Sequence, residues 1–407
     1  MVLGPAPHAV LLAGPGSSGK TTLALDLAAG LLCNDPNPAS RPCRDCRGCR
    51  QVASGNHPDL HRLAPSGAGR QITIGDAHSR PEPGTVRHLI GELSLHSVEG
   101  GARVAVIEEA HRLNDPSQNA LLKMLEEPPA GVTIILCADD EECLLPTVRS
   151  RCARIRLGPA AGREIERWLA DLGAAEPPQA ARLARLSGGR PGLALAYARS
   201  TEAERLRGEI ARGLLDMATA GRRDRLAAIR ELMKSSAALD AALENGRGNV
   251  AGESVEVPRR KKGRAAGGAP APATSAGSAT SAGSMADDAP EVDVEGPAAT
   301  EAAPAAKVSA TERRSAAATL IEIWASVARD LCLSGMGDTR HLRELALLDE
   351  LPPAAALLDR RALTDFIDRL GAIDIALDEN VNPELALDVL ALSWPRPTAT
   401  ASVAARQ

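Results

Sequence analysis

The chain has 407 residues, a formal net charge of −5 and 44% hydrophobic residues. That length suggests two or three domains with a substantial core. The negative charge excludes a global basic field for nucleic acid, and only five aromatic residues argue against a base-stacking surface. Because there is no signal-peptide pattern and no apolar run of about 18–20 residues, the sequence predicts a cytoplasmic protein.

The first strong feature is a phosphate-loop motif, G-x-x-x-x-G-K-[ST], at residues 14–21. An apolar run at residues 9–13 predicts a buried parallel strand before it, and residues 22–32 predict a helix after it. Glycines let backbone N–H groups turn toward phosphate oxygens, and the helix N-terminus adds positive partial charge. Lys20 would reach the β- and γ-phosphates, and the Thr21 hydroxyl would ligate Mg²⁺. The predicted ATP-binding residues of this segment are Gly14, Gly16, Ser17, Ser18, Gly19, Lys20, Thr21 and Thr22.

Four of the eight cysteines follow this helix closely: Cys33, Cys43, Cys46 and Cys49. In a cytoplasmic chain such a cluster favours metal binding or burial over disulfides. The C-x2-C-x2-C spacing with one upstream thiolate can close a tetrahedral Zn²⁺ site, and the neighbouring arginines would favour the thiolate form. Free buried thiols and an iron–sulfur cluster are the alternatives. We favour structural zinc, because the segment is polar and nothing in the chain suggests a redox partner.

A second buried strand is predicted at residues 103–107, and it ends at the acidic pair Glu108-Glu109. The carboxyl ends of parallel strands are where ligands bind in open α/β sheets. We therefore expect Glu108 to orient Mg²⁺ and Glu109 to polarise the water that attacks the γ-phosphate. A solvated strand end is the alternative. His111 follows the pair, and we assign it no chemistry.

The rest of the N-terminal part alternates strands with helices. A short strand at residues 71–74 and an amphipathic helix at 86–95 are predicted before the acidic pair. After it, Asn114 or Asp115 caps a helix at 116–127, and strands are predicted at 133–137 and 153–157. This alternation predicts an α/β fold with a doubly wound parallel sheet.

From residue 159 onward only helices are predicted. They occupy residues 163–172, 178–186, 191–199, 203–217 and 222–243, and later 316–333, 342–348, 364–370 and 383–392. Between the two groups, residues 246–310 are rich in Ala, Gly, Pro, Ser and Thr, which predicts a flexible linker. Arg190, in a glycine-rich turn, is a candidate phosphate sensor, although a solvated arginine at a helix start is the simpler interpretation.

Four features together resemble the clamp-loader branch of the AAA+ ATPases: the phosphate loop, the cysteine module after its helix, Glu108-Glu109, and Ser150-Arg151-Cys152. Residues 114–129 and 382–387 resemble further segments of that family, and the resemblance covers residues 8–243 well and 313–395 more loosely. It implies an α/β P-loop AAA+ domain at 1–158 with a zinc module at 33–49, a helical lid at 159–245, a disordered linker at 246–310, an all-α collar at 311–396 and a flexible tail at 397–407.

The resemblance also implies roles and partners. Arg151 would be an arginine finger offered to ATP on a neighbouring subunit, Arg190 would be a second sensor, and the zinc would be structural. For Arg151 the alternative is a structural arginine that pairs with a carboxylate such as Asp139 or Asp140. The collar would hold a five-subunit ring, with gamma/tau and delta subunits, that loads the sliding clamp onto primed DNA. ATP, Mg²⁺ and Zn²⁺ are the implied cofactors.

Three departures from the family bear on ATP turnover. Seven residues precede His8, where the family has a segment that helps to form the adenine pocket. Ala138-Asp139 stands where motor subunits have Thr or Asn as first sensor, and Glu108 stands where Asp is usual. We therefore predict a stator subunit of the clamp loader with weak or absent turnover. The alternatives are an ATP-hydrolysing motor subunit and another zinc-bearing AAA+ protein of DNA repair or signalling.

Overall fold

The structure, a computed structural model, describes residues 7–66, 71–76, 80–99, 101–248, 309–378 and 381–397. The predicted linker at 246–310 and the predicted tail at 397–407 therefore lie almost wholly outside the described residues. All described residues belong to one compact unit. None of the helices within these ranges combines the length and apolar character that a membrane span requires.

A five-stranded parallel sheet forms the core of the N-terminal part, with the strand order β2-β3-β4-β1-β5. The strands are β1 Ala9–Ala13, β2 Leu60–Leu63, β3 Arg103–Ile107, β4 Val132–Ala138 and β5 Ala153–Arg156. The three central strands β3, β4 and β1 are buried along their whole length, as expected for a parallel sheet covered on both faces. Separate apolar clusters fill the two sides of the sheet. The α/β class predicted from the sequence is confirmed.

The helices of this part are α1 Lys20–Leu31, α2 Arg47–Ala53, α3 Val86–Ser94, α4 Asp115–Glu126 and α5 Pro146–Arg149. Local signals decide where they begin. The Asn114 side chain caps α4 by accepting a hydrogen bond from the Ser117 amide, and the helix has a proline in its first turn. The Thr85 hydroxyl caps α3 in the same way. The elements predicted here agree with the structure to within two residues at each end, with the exception of the strand at 71–74.

Residues 71–74 do not form a strand of the sheet, so that prediction is wrong. Ile72 makes only an isolated bridge to Leu113, and Gln71 makes one to Ser66. The edge of the sheet is instead β2, which no apolar run marks in the sequence, because His61 and Arg62 separate its two leucines. An edge strand needs burial on fewer of its positions, so its hydrophobic pattern is weak. The short helix α2, within the cysteine module, was also not predicted.

The C-terminal part is helical, as predicted. Its helices are α6 Gly162–Asp171, α7 Pro177–Leu186, α8 Pro191–Arg199, α9 Thr201–Asp216, α10 Arg222–Gly248, α11 Ala310–Gly335, α12 Leu351–Leu357, α13 Arg360–Asp378 and α14 Pro383–Ser393. The helix predicted at 342–348 is wrong, since only a 3₁₀ turn, Leu345–Leu347, forms there. Helix α12 was missed because two prolines stand in its first turn, where a helix tolerates them.

One apolar core joins the helices of the predicted lid and the predicted collar. At its centre Trp324, Phe366 and Trp394 form a cluster with ring centroids 5.3, 5.5 and 4.7 Å apart. Tyr197 is buried in the same core. Four of the five aromatic residues are therefore packed inside the protein, where they stabilise the helical part rather than present a surface to a ligand.

Candidate nucleotide and metal sites

The phosphate loop joins β1 to α1, and its glycines are required by its geometry. Gly14 has φ 149°, and a Cβ there would lie 2.2 Å from the carbonyl oxygen of Leu157. Gly19, with φ 94°, is the N-cap of α1. Positive φ at both positions favours residues without a Cβ. The loop begins firmly attached to the sheet, because the Gly14 amide donates to the carbonyl oxygen of Ala138 at the end of β4.

The strand order brings the predicted catalytic acids to the carboxyl end of the sheet, where this loop also lies. Glu108 follows β3, Asp139 follows β4, and the loop follows β1, and these three strands are neighbours. This is the position where parallel sheets bind ligands. Glu108 and the phosphate loop therefore both lie at the carboxyl end of the sheet, although almost a hundred residues separate Gly14 from Glu108 in the chain.

Within the loop, the Lys20 ammonium has hydrogen-bond partners, whereas the Ser18 hydroxyl lacks one among the described residues. The Lys20 ammonium is 2.8 Å from the carbonyl oxygens of both Gly14 and Pro15, and 2.7 Å from Oδ1 of Asp139. The Ser18 hydroxyl is buried and has no hydrogen-bond partner among the described residues. A buried hydroxyl without a partner is costly. A phosphate oxygen in the loop would supply one, so Ser18 fits a nucleotide.

Both predicted acids have arginine partners. Glu108 Oε1 accepts hydrogen bonds from Nε and Nη2 of Arg62 at 3.0 and 2.6 Å. Glu109 Oε2 accepts one from Nε of Arg112 at 2.6 Å. Glu109 also has a left-handed backbone conformation, with φ 47°, which is uncommon for a residue with a side chain and favours functional positions. Each acid therefore has to leave its arginine, or bind a second partner as well, before it can orient Mg²⁺ or polarise a water molecule.

Arg190 is the N-cap of α8, but its guanidinium contacts the collar. Its Nη1 lies 2.9 Å from Oε2 of Glu322 on α11, and its Nε donates to the carbonyl oxygen of Ser187 at 3.1 Å. The start of α8 lies against the phosphate loop, because the amide of Gly192 donates to the carbonyl oxygen of Ser17 at 2.9 Å. The structure thus brings the backbone of the predicted sensor helix to the loop while the arginine side chain is ion-paired elsewhere.

Arg151 follows α5 and is partly exposed. Its Nη2 lies 2.6 Å from Oε1 of Glu126 at the end of α4, and its Nη1 donates to the carbonyl oxygen of Thr147 at 2.9 Å. The structural interpretation of this arginine expected a carboxylate such as Asp139 or Asp140 as its partner. The carboxylate that pairs with it is Glu126 instead, so that detail was wrong.

The four predicted zinc ligands converge on one point. The Sγ atoms of Cys33, Cys43, Cys46 and Cys49 all lie within 4.8 Å of one another. Sγ–Sγ distances of 3.9 Å join Cys33 to Cys46 and 4.0 Å join Cys43 to Cys49. A tetrahedron with Zn–S bonds of about 2.3 Å has edges of about 3.8 Å. The donor set therefore fits a four-coordinate metal ion, and all four cysteines are free thiols.

Backbone amides prepare this cluster for the charged form of its thiols. The amide of Cys46 donates to Sγ of Cys43, and the amide of Cys49 donates to Sγ of Cys46, both at 3.3 Å. Burial opposes ionisation of Cys46, but the amides of Cys49 and Asn34 outweigh it and lower the pKa of this thiol to about 6. Burial raises the pKa of the Cys49 thiol. The Cys46 thiol is thus readily ionised near neutral pH, and a cation bound at the cluster would favour the thiolate form of its ligands.

Comparison with known proteins finds similarity mainly in the part of the chain that contains the sheet. Residues 4–161 match the family model described as DNA polymerase III, delta subunit. Over 186 residues the chain is 38% identical to DNA polymerase III subunit delta' of Pseudomonas aeruginosa, covering 45% of this chain and 53% of the relative. Over 189 residues it is 36% identical to the Escherichia coli subunit of the same name, covering 46% and 54%. The chain thus spans about half the length of these delta' relatives.

Other DNA polymerase III subunits are also similar to part of this chain. DNA polymerase III subunit tau of Salmonella typhimurium is 37% identical over 155 residues, which are 38% of this chain and 22% of that protein. Among solved structures, a DNA polymerase III gamma subunit-related protein of Thermotoga maritima covers 91% of this chain and 95% of its own. Its identity is 15% and its TM-score 0.33, so this likeness carries no argument.

Two contacts at the phosphate loop were not foreseen from the sequence. Asp139 was noted as a departure at the first-sensor position, but its ion pair with Lys20 was not expected. Gly192 approaches the loop so closely that a Cβ there would lie 3.0 Å from the carbonyl oxygen of Ser17. The only signal for Asp139 was its place directly after a buried strand. Nothing local marked Gly192 beyond its place two residues after Arg190.

Proposed function

We propose that this chain is a delta'-type subunit of the DNA polymerase III clamp loader, which helps to load the sliding clamp onto primed DNA. The observation that carries the proposal is the match of residues 4–161 to the DNA polymerase III delta-subunit family. Relatives named delta' at 36–38% identity support the same subunit type. In this role the chain is a cytoplasmic member of a five-subunit ring with delta and gamma/tau subunits.

Nucleotide binding at the phosphate loop is the second part of the proposal. Lys20 would hold the β- and γ-phosphates, the hydroxyls of Ser17, Ser18 and Thr22 would line the loop, and Thr21 would ligate Mg²⁺. The buried Ser18 hydroxyl without a partner supports this role. When bound, ATP would supply the free energy with which the ring opens the clamp. The residues of this chain would hold the phosphates, and Glu108 would orient Mg²⁺ while Glu109 would position a water.

The stator and motor roles differ in whether this chain turns ATP over. Two observations favour a stator: Lys20 is ion-paired with Asp139, and Glu108 is ion-paired with Arg62. The predicted phosphate-binding lysine and the predicted Mg²⁺-orienting acid therefore both have partners within this chain. A motor role is favoured by the complete phosphate loop and by relatives named tau and gamma at 33–37% identity. We place the stator first, with Arg151 offered to ATP on the neighbouring subunit. Zn²⁺ held by Cys33, Cys43, Cys46 and Cys49 would be structural.

Assembly is the first test. The full chain, mixed with purified delta and gamma/tau subunits, should elute from a sizing column as one complex with a five-subunit mass. Elution of this chain apart from the others, under conditions in which delta and gamma/tau associate with a bona fide delta' subunit, would refute the clamp-loader role. A complex of this chain that hydrolyses ATP without any gamma/tau subunit would favour the motor role over the stator role.

Arg151 tests the proposed finger within that ring. Arg151→Ala should leave assembly intact and reduce turnover at the neighbouring ATP site by about 10³ or more, because a guanidinium supplied in trans stabilises the charge on the transferring phosphoryl group. Arg156→Ala is the matched control, since Arg156 also pairs with a glutamate and lies on the adjacent strand. Equal ring ATPase for both variants and the wild type would rule out the finger. Loss of folding for Arg151→Ala alone would assign the arginine to its pair with Glu126.

A further inference from the structure

The Lys20 ammonium has no hydrogen-bond donor left for a nucleotide. An ammonium group has three donors, and the structure gives it three acceptors: the carbonyl oxygens of Gly14 and Pro15 at 2.8 Å each, and Oδ1 of Asp139 at 2.7 Å. The Lys20 side chain is only 7% exposed. A phosphate can therefore bind this ammonium only by displacing one of the three acceptors.

Asp139 is the acceptor that resembles a phosphate. Its carboxylate is an anion with oxygen acceptors, whereas the other two acceptors are neutral carbonyl groups of the loop itself. The second carboxylate oxygen, Oδ2, lies above Gly16, where a Cβ on the glycine would be 3.1 Å away. Asp139 is thus positioned beside both Lys20 and Gly16, two residues of the loop predicted to hold the phosphate groups.

The backbone holds Asp139 in this position. Asp139 directly follows β4, and its amide donates to Nδ1 of His111 at 3.1 Å. The loop is held from the other side by the lid, through the hydrogen bond from the Gly192 amide to the carbonyl oxygen of Ser17. Because the strand end and the loop are both fixed, the ion pair with Lys20 forms with little loss of conformational entropy.

We propose that Asp139 is an internal competitor for the phosphate groups of a nucleoside triphosphate, which keeps the site closed until the carboxylate is displaced from Lys20. This inference rests on the proposed nucleotide site and adds its regulation. The carboxylate acts twice: it occupies the lysine, and it repels an anionic ligand at the mouth of the loop. A neutral side chain of similar shape removes both effects and keeps the volume.

The test uses calorimetry to measure how tightly the full chain and its variants bind a non-hydrolysable ATP analogue in the presence of Mg²⁺. Asp139→Asn should tighten binding about tenfold, the size of one charged hydrogen bond. Asp140→Asn is the matched control, because Asp140 is the next residue, is exposed and accepts hydrogen bonds from the Glu142 amide and the Cys143 thiol instead. It should bind like the wild type. Adding Lys20→Met to Asp139→Asn should abolish the gain and so assign it to the loop.

The outcomes separate this inference from the function on which it rests. If the wild type binds the analogue and Asp139→Asn binds equally or more weakly, Asp139 is not a competitor, while the nucleotide site stands. Weaker binding would instead make Asp139 a ligand of the bound Mg²⁺. If neither protein binds at millimolar analogue, the nucleotide site and the inference both fail. Thermal denaturation checks folding, and Asp139→Ser provides a second neutral variant if the asparagine variant is unstable.

Discussion

The ion pair between Arg207 and Glu344 provides the sharpest test of how the lid and the collar are held together. Arg207 lies on α9, Glu344 precedes the 3₁₀ turn of the collar, and Nη2 and Oε1 are 2.6 Å apart. Both side chains are almost inaccessible, at 4% and 2% exposed. The Tyr197 hydroxyl accepts a further hydrogen bond from Arg207 at 3.3 Å. Removing one partner of such a pair leaves an uncompensated charge in the core.

The expected cost follows from this burial. Arg207→Met should lower the free energy of unfolding by about 3–5 kcal/mol, the range found when one partner of a buried pair is removed. Arg205→Met is the matched control two residues away on the same helix. Arg205 is 53% exposed and pairs with Glu202 and Glu209 on the surface, so its loss should cost at most about 1 kcal/mol.

Urea unfolding followed by tryptophan fluorescence measures this difference, because Trp324 and Trp394 report on the core that joins lid and collar. The midpoint for Arg207→Met should fall on the order of 1–2 M below that for Arg205→Met. The double variant Arg207→Met/Glu344→Leu should recover most of the loss, since an apolar pair often replaces a buried ion pair without cost. Equal midpoints for the two single variants would refute the argument that burial decides the value of this pair.

Three further outcomes are expected. The purified protein should contain about one Zn²⁺ per chain, as measured by elemental analysis under reducing conditions. Cys46→Ser should release the metal, whereas Cys143→Ser, at an exposed cysteine outside the cluster, should keep it. Gly14→Ala should destabilise the sheet domain by about 2 kcal/mol or more, because the new Cβ meets a backbone oxygen at 2.2 Å; an unchanged melting temperature would contradict this. Glu322→Gln should free Arg190 and tighten Mg-nucleotide binding by about two- to fivefold if that arginine is a sensor; unchanged calorimetric affinity would leave Arg190 as a link between lid and collar.

Features that depend on short stretches of chain were predictable. The strand, loop and helix around residues 14–21 follow from an apolar run, three glycines and a helix start, all within about two dozen residues. The C-x2-C-x2-C spacing fixed three of the four thiols of the cluster in the same local way. The start of α4 was marked by its capping residue Asn114, and the start of α8 by Pro191 at its first position.

The failures occurred where a residue's surroundings come from distant parts of the chain. Strand β2 has no strong pattern of its own and forms because β3 offers an unpaired edge. The apolar residues at 71–74 were assigned to a strand, although Ile72 is buried beside Leu113 instead. In both places tertiary packing outweighed local propensity.

The sequence by itself determined the fold class, the phosphate loop, the acidic pair and the cysteine cluster, because each depends on residues close together in the chain. Only the tertiary structure decided which charge faces which. Lys20 and Asp139 meet because β1 and β4 are neighbours in the sheet although they are far apart in the chain. Arg190 meets Glu322 because lid and collar share one core. A charged side chain carries no local mark of its partner, since the pairing is set by the strand order and the helix packing that bring the two together.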